Sequence, residues 1–234
     1  VATNNIEAAN GGGSGDSIQE LRENSISNFS TQLRAVTADD YLVRTLSLPS
    51  QFGNISKAFV QKPNNANSNT TLEIYTLSYN LQKSLRSPST ALKNNLKTYL
   101  NQYKMIGDSI TIKNGYVINI ALNFEIVTLP NYNNNEVLRA CLEALISFFN
   151  IDKWQINQPI LLRDISVLLD EVTGVQTVSK ITITNKSGVS NGYSKYAYDV
   201  LGGTQNGVVY PSLDPSIFEV KYPKTDITGK VVTF

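Results

Sequence analysis

An α+β fold, in two small sandwich-like subdomains whose mixed or antiparallel sheets are covered by helices, is what this sequence predicts. Three observations carry the prediction. Between residues 116 and 128 apolar and polar side chains alternate with the period of a strand, while in 92–103 and 135–149 apolar residues recur at helical spacing. After residue 107 the elements follow the order strand, helix, helix, strand, as in a sheet with helices on one face. The 234 residues are enough for one large domain or two small ones with proper cores.

The elements follow in order. Gly11-Gly12-Gly13-Ser14-Gly15 reads as a flexible hinge, so 1–15 is assigned to a linker or the end of a preceding domain. Asp16 is placed to cap a helix, with Gln19 at the capping-box position and Ile18, Leu21, Ile26 and Phe29 along one stripe. The run RAVTADDY (34–41) sets two adjacent carboxylates beside a threonine, a tyrosine and an arginine. As chemistry, Asp39 and Asp40 would need a partner that splits their pKa values, and no nearby residue supplies one. As structure the run is complete. The Thr37 hydroxyl accepts a first-turn N–H, and the two acids sit at the positive end of a helix carrying Tyr41, Leu42, Thr45 and Leu46.

Leu48-Pro49 ends that helix, and strands at 55–61 and 72–79 form a hairpin with a long polar tip. Ser87-Pro88 opens the next helix with proline at its first position, and Leu92, Leu96, Tyr99, Leu100 and Tyr103 make its buried stripe. The surrounding Lys83, Arg86, Lys93, Lys97 and Lys104 read as a solvated face; a phosphate-binding face with stacking tyrosines is the functional alternative. The first subdomain is thus 16–107 and the second 108–234.

In the second, Asn114-Gly115 joins strands 109–113 and 116–128 as a hairpin. Ile118, Ile120, Leu122, Phe124 and Ile126 point to one face, and Val117, Asn119, Ala121, Asn123 and Glu125 to a mostly wet one. Helices at 135–149 and 161–172, a strand at 175–184 and short strands at 217–222 and 230–234 complete it. The segment 185–216 has no periodicity, yet it carries Tyr193, Tyr196, Tyr198, Tyr210, Pro211 and Leu213, and irregular loops of this length are commonly functional. We expect those six residues to form an assembly interface; tyrosines lying flat on their own sheet are the alternative.

Composition excludes several functions. With no histidine and a single cysteine, Cys141, the chain has no Ser-His-Asp or Cys-His arrangement, no internal disulfide and no zinc site of the usual ligands. Cys141 stands among Leu138, Leu142 and Leu145 and reads as a core thiol. Net charge is +1 and only 17% of residues are charged, while asparagine alone numbers 26, so nothing attracts nucleic acid or an acidic membrane. No apolar run is long enough for a transmembrane helix, and no cofactor or small-molecule substrate is expected. The chain begins at Val1 without a signal-peptide pattern and reads as a piece of a longer polypeptide.

Two stretches carry a resemblance. GGGSGDSIQELRENSISNFSTQLRAVTADDYLVRTLSLP resembles the signature of the baseplate J-like proteins of contractile phage tails. GGTQNGVVYPSLDPSIFEVKYP (202–223) resembles the C-terminal part of the wedge subunits of T4-like phages within that family. The resemblance implies a structural, non-enzymatic subunit of the virion tail baseplate, assembled in the host cytoplasm. It further implies a homodimer that joins other baseplate wedge proteins and links neighbouring wedges into a ring around the hub. Arg34, Thr37, Asp40 and Tyr41 match the family motif and take from it only a fold-defining role. Two other readings stand beside it. One is a receptor- or glycan-binding module of a phage tail, suggested by the Asn-, Tyr- and Gly-rich segment. The other is a hydrolase using Asp39/Asp40 or Asp170/Glu171, although neighbours on a helix point in different directions.

Overall fold

The computed structural model describes residues 18, 19, 21, 22, 34–63, 71–80 and 82–232. The glycine hinge, the Asp16 cap, Ile26, Phe29 and the hairpin tip at 64–70 lie outside the described residues. Ile18 and Leu21, from the expected N-terminal stripe, are helical and exposed. The α+β class holds, and the chain divides into two compact units, Val1–Gly115 and Tyr116–Phe234.

In the first unit, helix α1 (Ala38–Leu46) precedes strands β1 (Lys57–Gln61), β2 (Thr71–Tyr79) and β3 (Leu85–Arg86), helix α2 (Thr90–Leu100) and strand β4 (Ser109–Asn114). β2 is central. It pairs antiparallel with β1 and β3 and parallel with β4, in register from Thr71↔Ser109 to Thr76↔Asn114. Tyr41, Ile74, Leu96 and Leu100 are fully buried between the helices and this sheet. α2 begins two residues later than its proline suggests. Ser89 is the N-cap, its side chain accepting from Leu92 N–H at 3.2 Å, and Pro88 stands outside the helix. A hydroxyl that accepts a first-turn N–H caps better than a proline that merely tolerates the start.

The expected hairpin at Asn114-Gly115 does not form. β4 turns its ladder to β2, and the Gly115 N–H donates to Thr76 O at 3.1 Å. The chain then enters β5 (Tyr116–Thr128), the first strand of the second unit. The division therefore falls eight residues beyond the sequence-based boundary at 107, because β4 completes the first sheet rather than opening the second.

The second unit is organised around β5. After it come helix α3 (Asn134–Phe148), strand β6 (Ile160–Leu161), helix α4 (Leu162–Asp170) and strand β7 (Val175–Asn185). Strands β8 (Thr204–Gln205), β9 (Val208–Val209) and β10 (Ser216–Glu219), the helical turn α5 (Pro223–Asp226) and strand β11 (Ile227–Val231) follow. β7 pairs antiparallel with β5 at 120–128, while β10 and β11 both run parallel to it, at 116–119 and 122–126. α3 packs against β11, α4 against β7, and the two helices against each other, which covers one sheet face. Cys141 is buried in α3, and burial pushes its thiol up to about 11, so it stays protonated as a core group. A small sheet of order β6-β9-β8 closes on the turn Asn206-Gly207.

Candidate functional site

Two places carry the residues singled out above. The first is the start of α1. The Asp40 N–H donates to Thr37 Oγ1 at 3.1 Å, and the Thr37 and Val36 N–H groups donate to Asp40 Oδ2, each at 2.9 Å. This reciprocal pair is a capping box with aspartate in the glutamate position. Those backbone donors hold the Asp40 carboxyl below its ordinary value. Tyr41 reaches inward from the same turn, donating to Asp108 Oδ2 at 2.6 Å and accepting from Met105 N–H at 3.4 Å. Arg34 and Asp39 are exposed. The signature residues Thr37, Asp40 and Tyr41 thus tie the helix start to the loop before β4. Thr37→Ala is expected to lower the stability of this unit by about 1 kcal/mol, read as a shifted denaturation midpoint with an unchanged slope.

The second place is the face of β5 opposite the helices. Val117, Asn119 and Ala121, expected to be wet, are buried. The irregular segment 185–216 folds back over them. Asn119 is its anchor. Its Oδ1 accepts from Ser194 N–H at 2.7 Å, its Nδ2 donates to Glu219 Oε2 at 2.8 Å, and its backbone carbonyl accepts from Lys186 N–H and Asn185 Nδ2. Further along the strand Asn123 is exposed, and Glu125 pairs with Lys230 at 3.1 Å, so the polar face survives only there.

The tyrosines divide into two groups. Tyr193 donates to Asp226 Oδ1 at 2.6 Å and packs edge-on against Tyr222; Tyr196 packs edge-on against Tyr116; Tyr198 packs against Phe218 and donates to Tyr210 O. These three are used within their own unit. Tyr210 and Leu213 point outward, 49% and 104% exposed, at either end of a short run stiffened by Pro211 and Pro215. Ser212 holds that run, its Oγ donating to Asp214 O at 2.7 Å and its N–H to Ser216 Oγ at 3.2 Å. Asn119, Glu219 and Asp226, which knit the segment down, gave no signal in the sequence beyond one asparagine in an apolar alternation.

Two phenols titrate with consequence. Burial and the bond to Asp108 push Tyr41 up to about 12, and the bond to Asp226 with burial does the same for Tyr193. Both are raised from an ordinary 10, so their stabilisation is fully present below pH 10. Above it the unfolded chain ionises first, and the contribution is lost by about pH 12. Melting temperature should therefore fall as pH rises through that window, and Tyr193→Phe should flatten part of the fall.

Among the described residues no three His, Cys, Asp or Glu side chains group as metal ligands, and no helix is long and apolar enough to cross a membrane. Asp170 and Glu171 are both exposed at the end of α4. What the geometry offers is a two-unit α+β scaffold with a stitched-down segment that projects a rigid apolar tip.

No protein-family model matches the chain, and no curated protein matches its sequence. Its fold is found in a solved structure. A chain of the anti-feeding prophage baseplate, determined by cryo-electron microscopy with six-fold symmetrisation, superposes with a TM-score of 0.53 at 11% identity. The match covers 87% of this chain and 42% of that one, so the chain spans less than half the length of the protein it resembles.

Proposed function

We propose that the chain is a structural subunit of a contractile-tail baseplate, located in the virion tail and acting through contacts with other baseplate proteins. The observation that carries this reading is the fold shared over 87% of the chain with a component of the anti-feeding prophage baseplate. The residue motifs at 11–49 and 202–223 support the finer reading. On it, the chain is a wedge subunit that pairs with a second copy and links neighbouring wedges into a ring around the hub, assembled in the host cytoplasm without catalytic turnover. Tyr210 and Leu213, flanking the half-buried Pro211, are exposed apolar side chains of the folded-back segment that can meet a partner, as are Leu201 and Val189, and a short proline-stiffened run loses little entropy on binding.

Size-exclusion chromatography with light scattering tests the association. With charged residues sparse and net charge +1, the contact should be apolar, and a dimer should persist at ~0.5 M salt, where screening acts within a few ångströms. A monomer that binds immobilised glycans would instead support a receptor-binding module. Imaging of assembled tails with the chain labelled tests the location directly; label along the tail tube or fibres, away from the baseplate, would overturn it.

A further inference from the structure

The described residues contain three Asn-Gly dipeptides, Asn114-Gly115, Asn191-Gly192 and Asn206-Gly207. In such a pair the glycine nitrogen can attack the asparagine side-chain carbonyl. A C–N bond forms between the backbone nitrogen and Cγ, ammonia leaves from Cγ, and a five-membered succinimide results. Water then opens the ring at either carbonyl, giving aspartate or isoaspartate, with no change of oxidation state. The attack needs a glycine N–H that can be deprotonated and can move.

Two of the three nucleophiles are tied down. Gly115 N–H donates to Thr76 O at 3.1 Å in a buried position, and the Asn114 amide oxygen accepts from Lys93 Nζ at 3.3 Å. Gly192 N–H donates to Val189 O at 3.0 Å, and Gly192 sits against the Tyr222 hydroxyl. Gly207 differs. Its N–H meets no acceptor among the described residues, Asn206 and Gly207 are both exposed, and a Cβ at 207 would find nothing within 4 Å. The φ angles of 52° and 77° mark a primed hairpin turn, and the ring closes only when that turn opens. Its strands β8 and β9 have two residues each, so opening is local and inexpensive.

We propose that Asn206 is a site of spontaneous deamidation in the folded protein, with water as co-reactant and ammonia as leaving group. The modification reaches beyond the turn. Gly207 O accepts the Leu162 N–H at 2.9 Å, and α4 has no side-chain cap of its own. Isoaspartate routes the main chain through an extra carbon just before Gly207, which pulls that carbonyl off the helix start. Aspartate leaves the backbone path unchanged.

The test ages the full chain at mildly alkaline pH, folded and in urea, and maps Asn, Asp and isoAsp by peptide mass spectrometry. Folded protein should convert Asn206 several-fold faster than Asn114 or Asn191, and urea should bring the three rates together. Equal survival of all three in the folded protein, or rates at Asn114 and Asn191 no slower folded than in urea, overturns the assignment. Asn206→Gly keeps the turn conformation and should abolish the converting peptide. Asn206→Asp should retain hydrogen-exchange protection at Leu162, whereas the isoaspartyl form should lose it; retained protection in the isoaspartyl form would overturn the link to α4.

Discussion

Truncating Phe124 to alanine is expected to lower the stability of the second unit by about 3–5 kcal/mol. The ring is fully buried at the centre of β5. Its ladder partner on β11 is Gly229, and a Cβ there would overlap the ring. The glycine is thus the counterpart of the phenylalanine: the ring lies across the backbone where a side chain would otherwise stand. Gly229→Ala alone should destabilise by about 1–3 kcal/mol through overpacking. In the Phe124→Ala background most of that penalty should vanish, because the obstructing ring is gone. Chemical denaturation of the two single variants and the double variant measures the coupling. Strict additivity would mean that the two positions do not share the space assigned to them.

The other large effect is expected at Asn119. Replacing it with leucine keeps approximate volume but leaves the Ser194 N–H without its acceptor and the buried Glu219 without its amide donor. Removing one partner from a buried or part-buried polar group costs about 1–3 kcal/mol, and two groups each lose one here, so a loss of roughly 2 kcal/mol or more is expected. Asn119→Asp sharpens the test. At neutral pH it sets a carboxylate against the Glu219 carboxylate, and like charges disfavour the ionised pair. Lowering the pH protonates one of them and restores a donor, so this variant should recover stability relative to wild type as pH falls. Hydrogen exchange at Ser194 and Lys186 shows whether the folded-back segment lifts first.

The amide assignment at Asn119 is itself fixed by this chemistry. Only Nδ2 toward the carboxylate and Oδ1 toward the Ser194 N–H satisfies both partners.

What was legible in the sequence follows the range of the interaction. The α1 capping box is closed by bonds between residues three and four apart; the spacing of T-A-D-D marks Thr37 as acceptor of a first-turn N–H, while the return bonds from the Val36 and Thr37 N–H groups to Asp40 were not read from it. The helix stripes were equally plain: Leu92, Leu96 and Leu100 are all buried. Asn-Gly failed as a signal because a turn needs both flanks to pair with each other. Gly115 lies between a strand committed to β2 and a strand committed to β7, β10 and β11. The dipeptide does make a hairpin at Asn206-Gly207, where the flanking strands are too short to show any alternation.

For the folded-back segment the supply of tyrosines was visible and their direction was not. Tyr193, Tyr196 and Tyr198 find partners at Asp226, Tyr116 and Phe218, far away in the chain. The same long-range burial turned Asn119 from a wet-face residue into an anchor. Alternation reports which side chains share a face, and it is silent on what lies over that face.

The pairing of β4 and β5 has a mechanical consequence within each unit. In the first, β4 is held by a parallel ladder to β2 from Ser109 to Asn114. In the second, β5 is held by parallel β10 and β11 and antiparallel β7. A pull along either strand loads its own ladders in shear, so their hydrogen bonds resist together instead of opening one after another as in a peeled hairpin.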